Sequence, residues 1–348
     1  DGDMLNQVAT ISANNDTELG EIIASAFKEV GPKGVVSMET SRDEKTTYEI
    51  VDGAVLNKGL KNYHFVTNQE KHIAELKNPL ILLVENKIEH ARKIQSVLEY
   101  VIKNKRSLLI VAECDLTVSS MLAMNKIKGN IKVNIVDSPD YGINRKQILQ
   151  DLAAITGAKV INEDLGDDID LIQPDYLGEA SKCITNSDET IIQVDEVSEE
   201  VKKLIESVEN QLKEATTPGK IIQLEKRLAL LNGKVGIIKV GANSEVELKE
   251  KSDRVEDAIC ATKAAIKEGI LPGGGIALLN AAQKVKANSE SQQVLLDAIK
   301  APFKTILVNA GIDYTEPNKI GEGLDVVTGN MVNMIQHGII DPLLVTKS

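Results

Sequence analysis

Two stretches of this 348-residue chain carry residues whose type and spacing could do chemistry: the carboxylate of Asp257, and the run Pro272-Gly273-Gly274-Gly275 ahead of an apolar helix beginning at Ile276. Three glycines leave backbone N–H groups uncovered at a helix N-terminus, where the dipole favours anions, so a phosphate or nucleotide could lie there. A glycine run also serves as a flexible joint. Asp257 sits off the apolar stripe of its helix, where a carboxylate taken by itself reads as solvated. No nucleophile, base and orienting group fall together elsewhere, which argues against an unrelated α/β enzyme.

Composition narrows the classes. A formal charge of −12 and a pI near 5.0 argue against a nucleic-acid or anionic-membrane surface, because phosphate binding needs clustered Lys and Arg. Cys114, Cys183 and Cys260 are far apart and form no C-x-x-C pair, so neither a disulfide framework nor a zinc site is expected. His64, His72, His90 and His337 show no metal spacing, and no metal ligands are assigned. The longest apolar runs fall far short of a membrane span and no signal peptide is visible, so a cytoplasmic protein is expected.

The elements that must position Asp257 and the glycine run are well marked. Ser244 and Glu247 have capping-box spacing and open a helix that carries Val255, Ile259, Thr262 and Ile266 on one stripe and ends at Gly269. Upstream, LGEIIASAFKEVG reads as a helix with Ile22, Ile23, Ala26, Phe27 and Val30 on one side, followed by a strand and turn. Between residues 80 and 162 apolar strand runs at 80–84, 107–112, 132–137 and 158–162 alternate with helical segments 88–104, 117–128 and 144–156. That alternation calls for a parallel sheet covered by helices. Residues 197–231 form an αα-hairpin about Thr216-Thr217-Pro218-Gly219. Along 88–104 the apolar residues Ile88, Ala91, Ile94, Val97, Leu98, Val101 and Ile102 spread over half a helical circumference, wider than one packing surface needs. Such a helix is either buried on two sides or keeps some apolar surface for a ligand.

The run RVEDAICATKAAIKEGILPGGGIALL, Arg254 to Leu279, resembles the signature of group I chaperonins, and the likeness extends through VATISANNDTELGEII, VGPKGVVSME, RKQILQDLAAITGAKVI, EKRLALLNGKVGIIKVGA and NMIQHGIIDPLLVTKS. The resemblance implies a multi-domain α/β fold. Residues 1–52 and 235–268 would be the two halves of an intermediate domain, 53–234 an inserted apical parallel-sheet domain, and 269–348 part of an all-α equatorial domain. Gly53 and Gly233 fall at the hinges, the second in a Gly233-Lys234 pair where the family often has two glycines. It further implies an ATP-dependent subunit of a homo-oligomeric ring that binds non-native polypeptides, with a co-chaperonin as a further partner; the alternative is a passive holdase module.

Carried over position by position, the resemblance places the polypeptide-binding groove at Leu60, Asn62, His64, Phe65, Gln95, Leu98, Ser119, Ala123 and Met124, with Gln95, Ser119 and Ala123 less apolar than the family norm. It places Gly274 against the nucleotide, Ile339 on the base, Asp341 on the ribose and Asp257 as the water-activating carboxylate. The family's phosphate loop and Mg2+-binding aspartate belong to a segment that would precede Asp1, so the ATP site is expected to be half present and the chain alone to lack turnover. The GPKG at residues 31–34 follows a helix and precedes a strand, the wrong context for a P-loop. The family's A-P-G-F-G-D reads Ser138-Pro139-Asp140-Tyr141-Gly142-Ile143 here, which marks a divergent member.

Overall fold

The computed structural model describes residues 2–31, 34–313, 316–317 and 319–347; Pro32 and Lys33 of the GPKG stretch lie outside the described residues. The chain divides into two compact units, one of residues 1–32, 36–49 and 237–348, the other of residues 33–35 and 50–236.

The chain opens with α1 (Gly2–Ser12) and α2 (Thr17–Val30), which pack on each other. Asp16 caps α2 by accepting the Leu19 N–H at 3.1 Å, and Gly31 ends it with a φ of 74° while its N–H returns to the Phe27 carbonyl. Leu19, Ile23, Ala26, Phe27 and Val30 form the buried face of α2. Strands β1 (Val35–Thr40) and β2 (Thr47–Leu56) follow, and β2 runs on into the second unit.

The second unit continues with β3 (Ala74–Lys77), β4 (Pro79–Val84), α3 (Gln95–Lys103), β5 (Ser107–Val111), α4 (Leu116–Ile127), β6 (Lys132–Val136), α5 (Gly142–Thr156) and β7 (Val160–Ile161). As the alternation predicts, β6, β5, β4 and β7 lie side by side in that order and all neighbours are parallel. Strand β8 (Gly178–Glu179) adds to β4 in the antiparallel sense. Every residue of β4 and β5 is buried, which is what helices on both faces of a sheet require. Alternate residues divide the interior into two cores. Leu80, Leu82, Val84, Leu108, Ile110, Val133 and Ile135 face Val97 and Val101 of α3 and Val118 and Leu122 of α4. Ile81, Leu83, Leu109 and Val111 face Leu149 and Leu152 of α5 on the other side.

Strands β9 (Lys182–Thr185) and β10 (Thr190–Val194) pair with each other, and with β3 and β2 respectively, in an antiparallel set ordered β2, β10, β9, β3. The hairpin follows as α6 (Glu199–Glu214) and α7 (Pro218–Leu231), whose Val201, Val208, Leu224 and Leu230 join the core beneath α5. Asp151 of α5 is fully buried there and takes two hydrogen bonds from the Arg227 guanidinium of α7, at 2.7 and 2.6 Å. Burial pushes the Asp151 carboxyl upward from its ordinary value, with Arg227 pulling against it.

Strand β11 (Lys234–Val240) returns to the first unit, where α8 (Glu245–Glu268) begins. Ser244 accepts the Glu247 N–H at 3.2 Å, as the capping box predicts, while the Glu247 carboxylate reaches the N–H of Asn243 at 3.0 Å instead of the cap residue's own. Beyond it come β12 (Ile270–Pro272), α9 (Ile276–Lys284), α10 (Glu290–Ala298), α11 (Ala301–Asn309), β13 (Glu322–Asp325), β14 (Asn330–Asn333), β15 (Ile340–Pro342) and α12 (Leu343–Lys347). The expected all-α character of 269–348 is therefore corrected: two small antiparallel ladders, β12 with β15 and β13 with β14, are built among its helices.

The segment 88–104 also differs from its expected single helix. Ile88 is held in an extended bridge to Cys114, donating to Glu113 at 2.8 Å and accepting from Asp115 at 2.9 Å. A short turn at Ala91–Ile94 follows, and α3 proper begins only at Gln95. The unusually wide apolar arc thus arises from two differently shaped pieces, of which Ile88 and Ile94 are wholly core.

Candidate functional site

Helices α3 and α4 follow adjacent parallel strands and pack on the same face of the sheet, so they are neighbours above one core. Val118 and Leu122 turn α4 inward; Leu116, Met124 and Ile127, spaced at i, i+8 and i+11, form a stripe on its outer side. Their exposures of 76%, 53% and 55% are large for apolar side chains. On α3, Ile102 is 49% exposed and Leu98 packs partly on the core. The outer sides of the two helices therefore present an apolar surface that no described element covers.

The nine residues expected to line a groove divide sharply. Phe65, Ser119 and Ala123 are buried, at 0%, 2% and 2% exposure, and Phe65 and Ala123 belong to the core under α3 and α4. Leu60 is half-buried against the same core, and its N–H donates to the Asn186 carbonyl at 2.8 Å. Asn62 caps the short turn Tyr63–Phe65 by accepting the His64 N–H at 2.9 Å, and the His64 ring is exposed. Gln95 is exposed and donates to Glu99 at 2.7 Å. Met124 lies on the outer stripe. Leu116 and Ile127 were missed by positional carry-over, although the spacing of Leu116, Met124 and Ile127 along a helix already puts them on a second apolar face. Lys126 of α4 ties the turn to the helix through the Val66 carbonyl at 2.5 Å, and burial lowers its ammonium pKa.

In the first unit, Gly274, Ile339 and Asp341 are brought together by the β12–β15 ladder. Leu271 pairs with Asp341, Pro272 with Ile340, and the Gly273 N–H donates to the Ile339 carbonyl at 2.9 Å. Gly274 and Gly275 hold φ values of 64° and 75°, and a Cβ on Gly275 would stand 2.5 Å from the Phe303 nitrogen, so the turn into α9 demands glycine. Ile339 packs beside Ile276, Phe303 and Met334. Asp341 is half-buried, and desolvation pushes its carboxyl upward. Asp257 is exposed on α8; one and two turns further along the same flank, Ala261 and Ala265 pack with Val8 and Ile340, next to Asp341 in the chain.

Against this geometry, the family model described as the TCP-1/cpn60 chaperonin family matches residues 1–348. The chain belongs to that family. Its role is chaperonin-type protein folding, in a family that is generally ATPase-bearing, binds ATP with Mg2+ and works as ring oligomers on substrate polypeptides. No helix among the described residues is long and apolar enough to cross a membrane, and none of them form a group of three His, Cys, Asp or Glu side chains suited to a metal ion. In this chaperonin Cys114 and Cys183 are buried thiols, the first pushed up to about 12 by burial and the second also raised, so neither is poised as a nucleophile.

The two expected hinge glycines lie side by side inside the second unit of the chaperonin chain. The Gly53 N–H donates to the Gly233 carbonyl at 3.1 Å. Neither is among the residues with positive φ; what each lacks room for is a side chain.

Proposed function

We propose that the second unit is the apical domain of an ATP-dependent chaperonin subunit and captures non-native polypeptides on the outer surface of α3 and α4. The observation that carries this reading is the exposed apolar stripe Leu116, Met124 and Ile127 on α4, with Ile102 exposed on α3. Apolar burial is non-directional and contributes about 25 cal/mol per Å², so such a surface can hold many unrelated unfolded chains without reading their sequence. In this reading residues 53–234 are the apical domain, 1–52 with 235–268 the intermediate domain, and 269–348 equatorial. Gly53 and Gly233 are its hinge, and a co-chaperonin competes for the same apolar surface.

The nucleotide half of the proposal rests on the turn at Gly274. The N–H groups of Gly274 and Gly275 have no backbone partner among the described residues and stand at the start of α9, where an anionic phosphate is favoured. Asp341 offers carboxylate oxygens to sugar hydroxyls, and Ile339 an apolar side chain to a base. ATP would supply the phosphoryl group whose hydrolysis drives the cycle. Asp257 would orient the attacking water or accept its proton. The described residues offer no clustered ligand set for Mg2+.

The test is aggregation of a chemically denatured client, followed by light scattering with and without ATP. Suppression by the protein is expected, and Leu116→Glu combined with Ile127→Glu should abolish it in a protein whose circular dichroism is unchanged. Full suppression by the folded double variant would remove the surface assignment, and suppression that never responds to ATP would leave a passive holdase.

A further inference from the structure

Beyond the end of β6 the chain turns through Ser138-Pro139-Asp140 into α5, and beside this turn lies a cavity of about 490 Å³. Its floor is apolar, made by Leu56 of β2, Pro139, Ile148 of α5 and Leu230 of α7. Leu56 and Leu230 also belong to the core behind it, so the floor is backed by packed side chains.

The charges on the lining are unequal: Lys58 and Lys226 stand against the single carboxylate of Asp140. Lys226 meets Asp140 only at 3.6 Å and is largely exposed, a pair held weakly and open to competition from another anion. The Lys58 ammonium has no hydrogen bond or ion pair to a described residue, while its carbonyl accepts the Thr190 hydroxyl at 2.7 Å, which fixes the backbone beneath it. Asp140 itself holds a φ of +59° and accepts the N–H of Tyr141 at 3.0 Å. A non-glycine residue in that conformation carries a cost that the surroundings must impose, so the turn is set in one shape.

A preformed cavity of a few hundred Å³ with an apolar floor and few polar groups is the form of a small-molecule site, and the excess of ammonium groups selects an anion. We propose that this cavity binds a small organic acid, with an aliphatic body on the floor and its carboxylate paired with Lys58 and Lys226. The site lies on the sheet face opposite α3 and α4 and is separate from the polypeptide surface proposed above.

Octanoate is the probe. Calorimetric titration of the full chain should show one saturable site, and octylamine, with a similar aliphatic body and the opposite charge, should fail to occupy it at the same concentrations. Lys58→Glu should weaken octanoate about tenfold or more, the scale expected for removing one charge-assisted hydrogen bond. Ala229→Trp, which fills the cavity from its own lining, should remove the site, whereas Leu116→Glu on the far face should leave the affinity unchanged. Lys58→Gln, which reverses no charge, should give an intermediate loss and serves if a bulkier variant fails to fold. Absence of saturable binding, equal binding of octylamine, or an octanoate affinity indifferent to both Lys58 variants would overturn the proposal.

Discussion

The Gly53 N–H donates to the Gly233 carbonyl at 3.1 Å, which ties the middle of β2 to the residue just ahead of β11 within the second unit. A Cβ on Gly53 would lie 2.4 Å from the Ile192 carbonyl oxygen, and one on Gly233 would lie 2.3 Å from the Gly53 oxygen. Glycine is needed there for close approach and not for a left-handed backbone. Gly53→Ala and Gly233→Ala should therefore each destabilise the protein by about 1–3 kcal/mol, through a backbone shift of the overpacking kind. Urea midpoints check this; two variants as stable as the parent would show that the neighbouring strands part without cost.

The apolar surface predicts a contrast between neighbouring positions of one helix. Met124→Glu, on the outer stripe of α4, should change stability by less than about 0.5 kcal/mol, while Ala123→Glu, one residue earlier and pointing at the sheet, should bury an unpaired carboxylate and unfold the unit. Thermal unfolding of the two separates them directly. Equal tolerance at both positions would mean that α4 is rotated from its described orientation.

Arg227 is the partner of a carboxylate that has no access to water. Arg227→Met should cost about 3–5 kcal/mol at neutral pH, mostly for leaving Asp151 charged and alone. Because burial raises the folded-state value of Asp151, that penalty belongs to the ionised form. It should shrink as pH falls through the raised value towards the ordinary carboxylate range. Denaturation of parent and variant between neutral and mildly acidic pH follows this, and a gap independent of pH would assign the loss to packing alone.

Asp341 titrates with the same sign and from the same cause, desolvation, but with no cation pulling against it. The folded protein holds that proton more tightly than the unfolded chain, so the site contributes a penalty that grows as pH rises from the unfolded value to the raised folded one. Asp341→Asn should raise the melting temperature at neutral pH, leave it unchanged below the unfolded value, and weaken nucleotide binding. A variant less stable at neutral pH would mean that the carboxylate has a partner in the folded state.

Much of this was readable in advance, for physical reasons that differ by element. The parallel strands declare themselves because a sheet buried on both faces needs unbroken apolar runs such as LILLV, and α8 because Ser244 and Gly269 mark its ends. The ladder at β12 and β15 is only three residues per strand, with no alternation long enough to see. Likeness of sequence supplies positions along the chain, whereas the packing beneath decides which of them are wet, and Phe65, Ser119 and Ala123 are buried. Leu116 and Ile127 carry the opposite lesson: Val118 and Leu122 already account for the inward face, so apolar residues at their offsets had to point elsewhere.

Asp257 is the sharpest remaining test of the nucleotide site. It is exposed on α8 and has no side-chain hydrogen bond or ion pair to a described residue, so folding makes no demand on it. Asp257→Ala should leave stability within about 0.5 kcal/mol of the parent. Nucleotide affinity should also persist, because the Gly274 turn, Ile339 and Asp341 would do the holding. Hydrolysis should fall by about 10²–10⁴-fold, the loss typical of a group that orients water or takes its proton. Single-turnover ATP hydrolysis and equilibrium nucleotide binding, measured on the same preparations, separate the two effects. Asp257→Asn, which keeps the shape but cannot take the proton, divides them further: a residual rate well above that of the alanine variant marks an orienting role, and an equal loss marks a general base. If hydrolysis is unchanged in both variants, Asp257 is a solvated helix residue and the water-activating assignment is wrong.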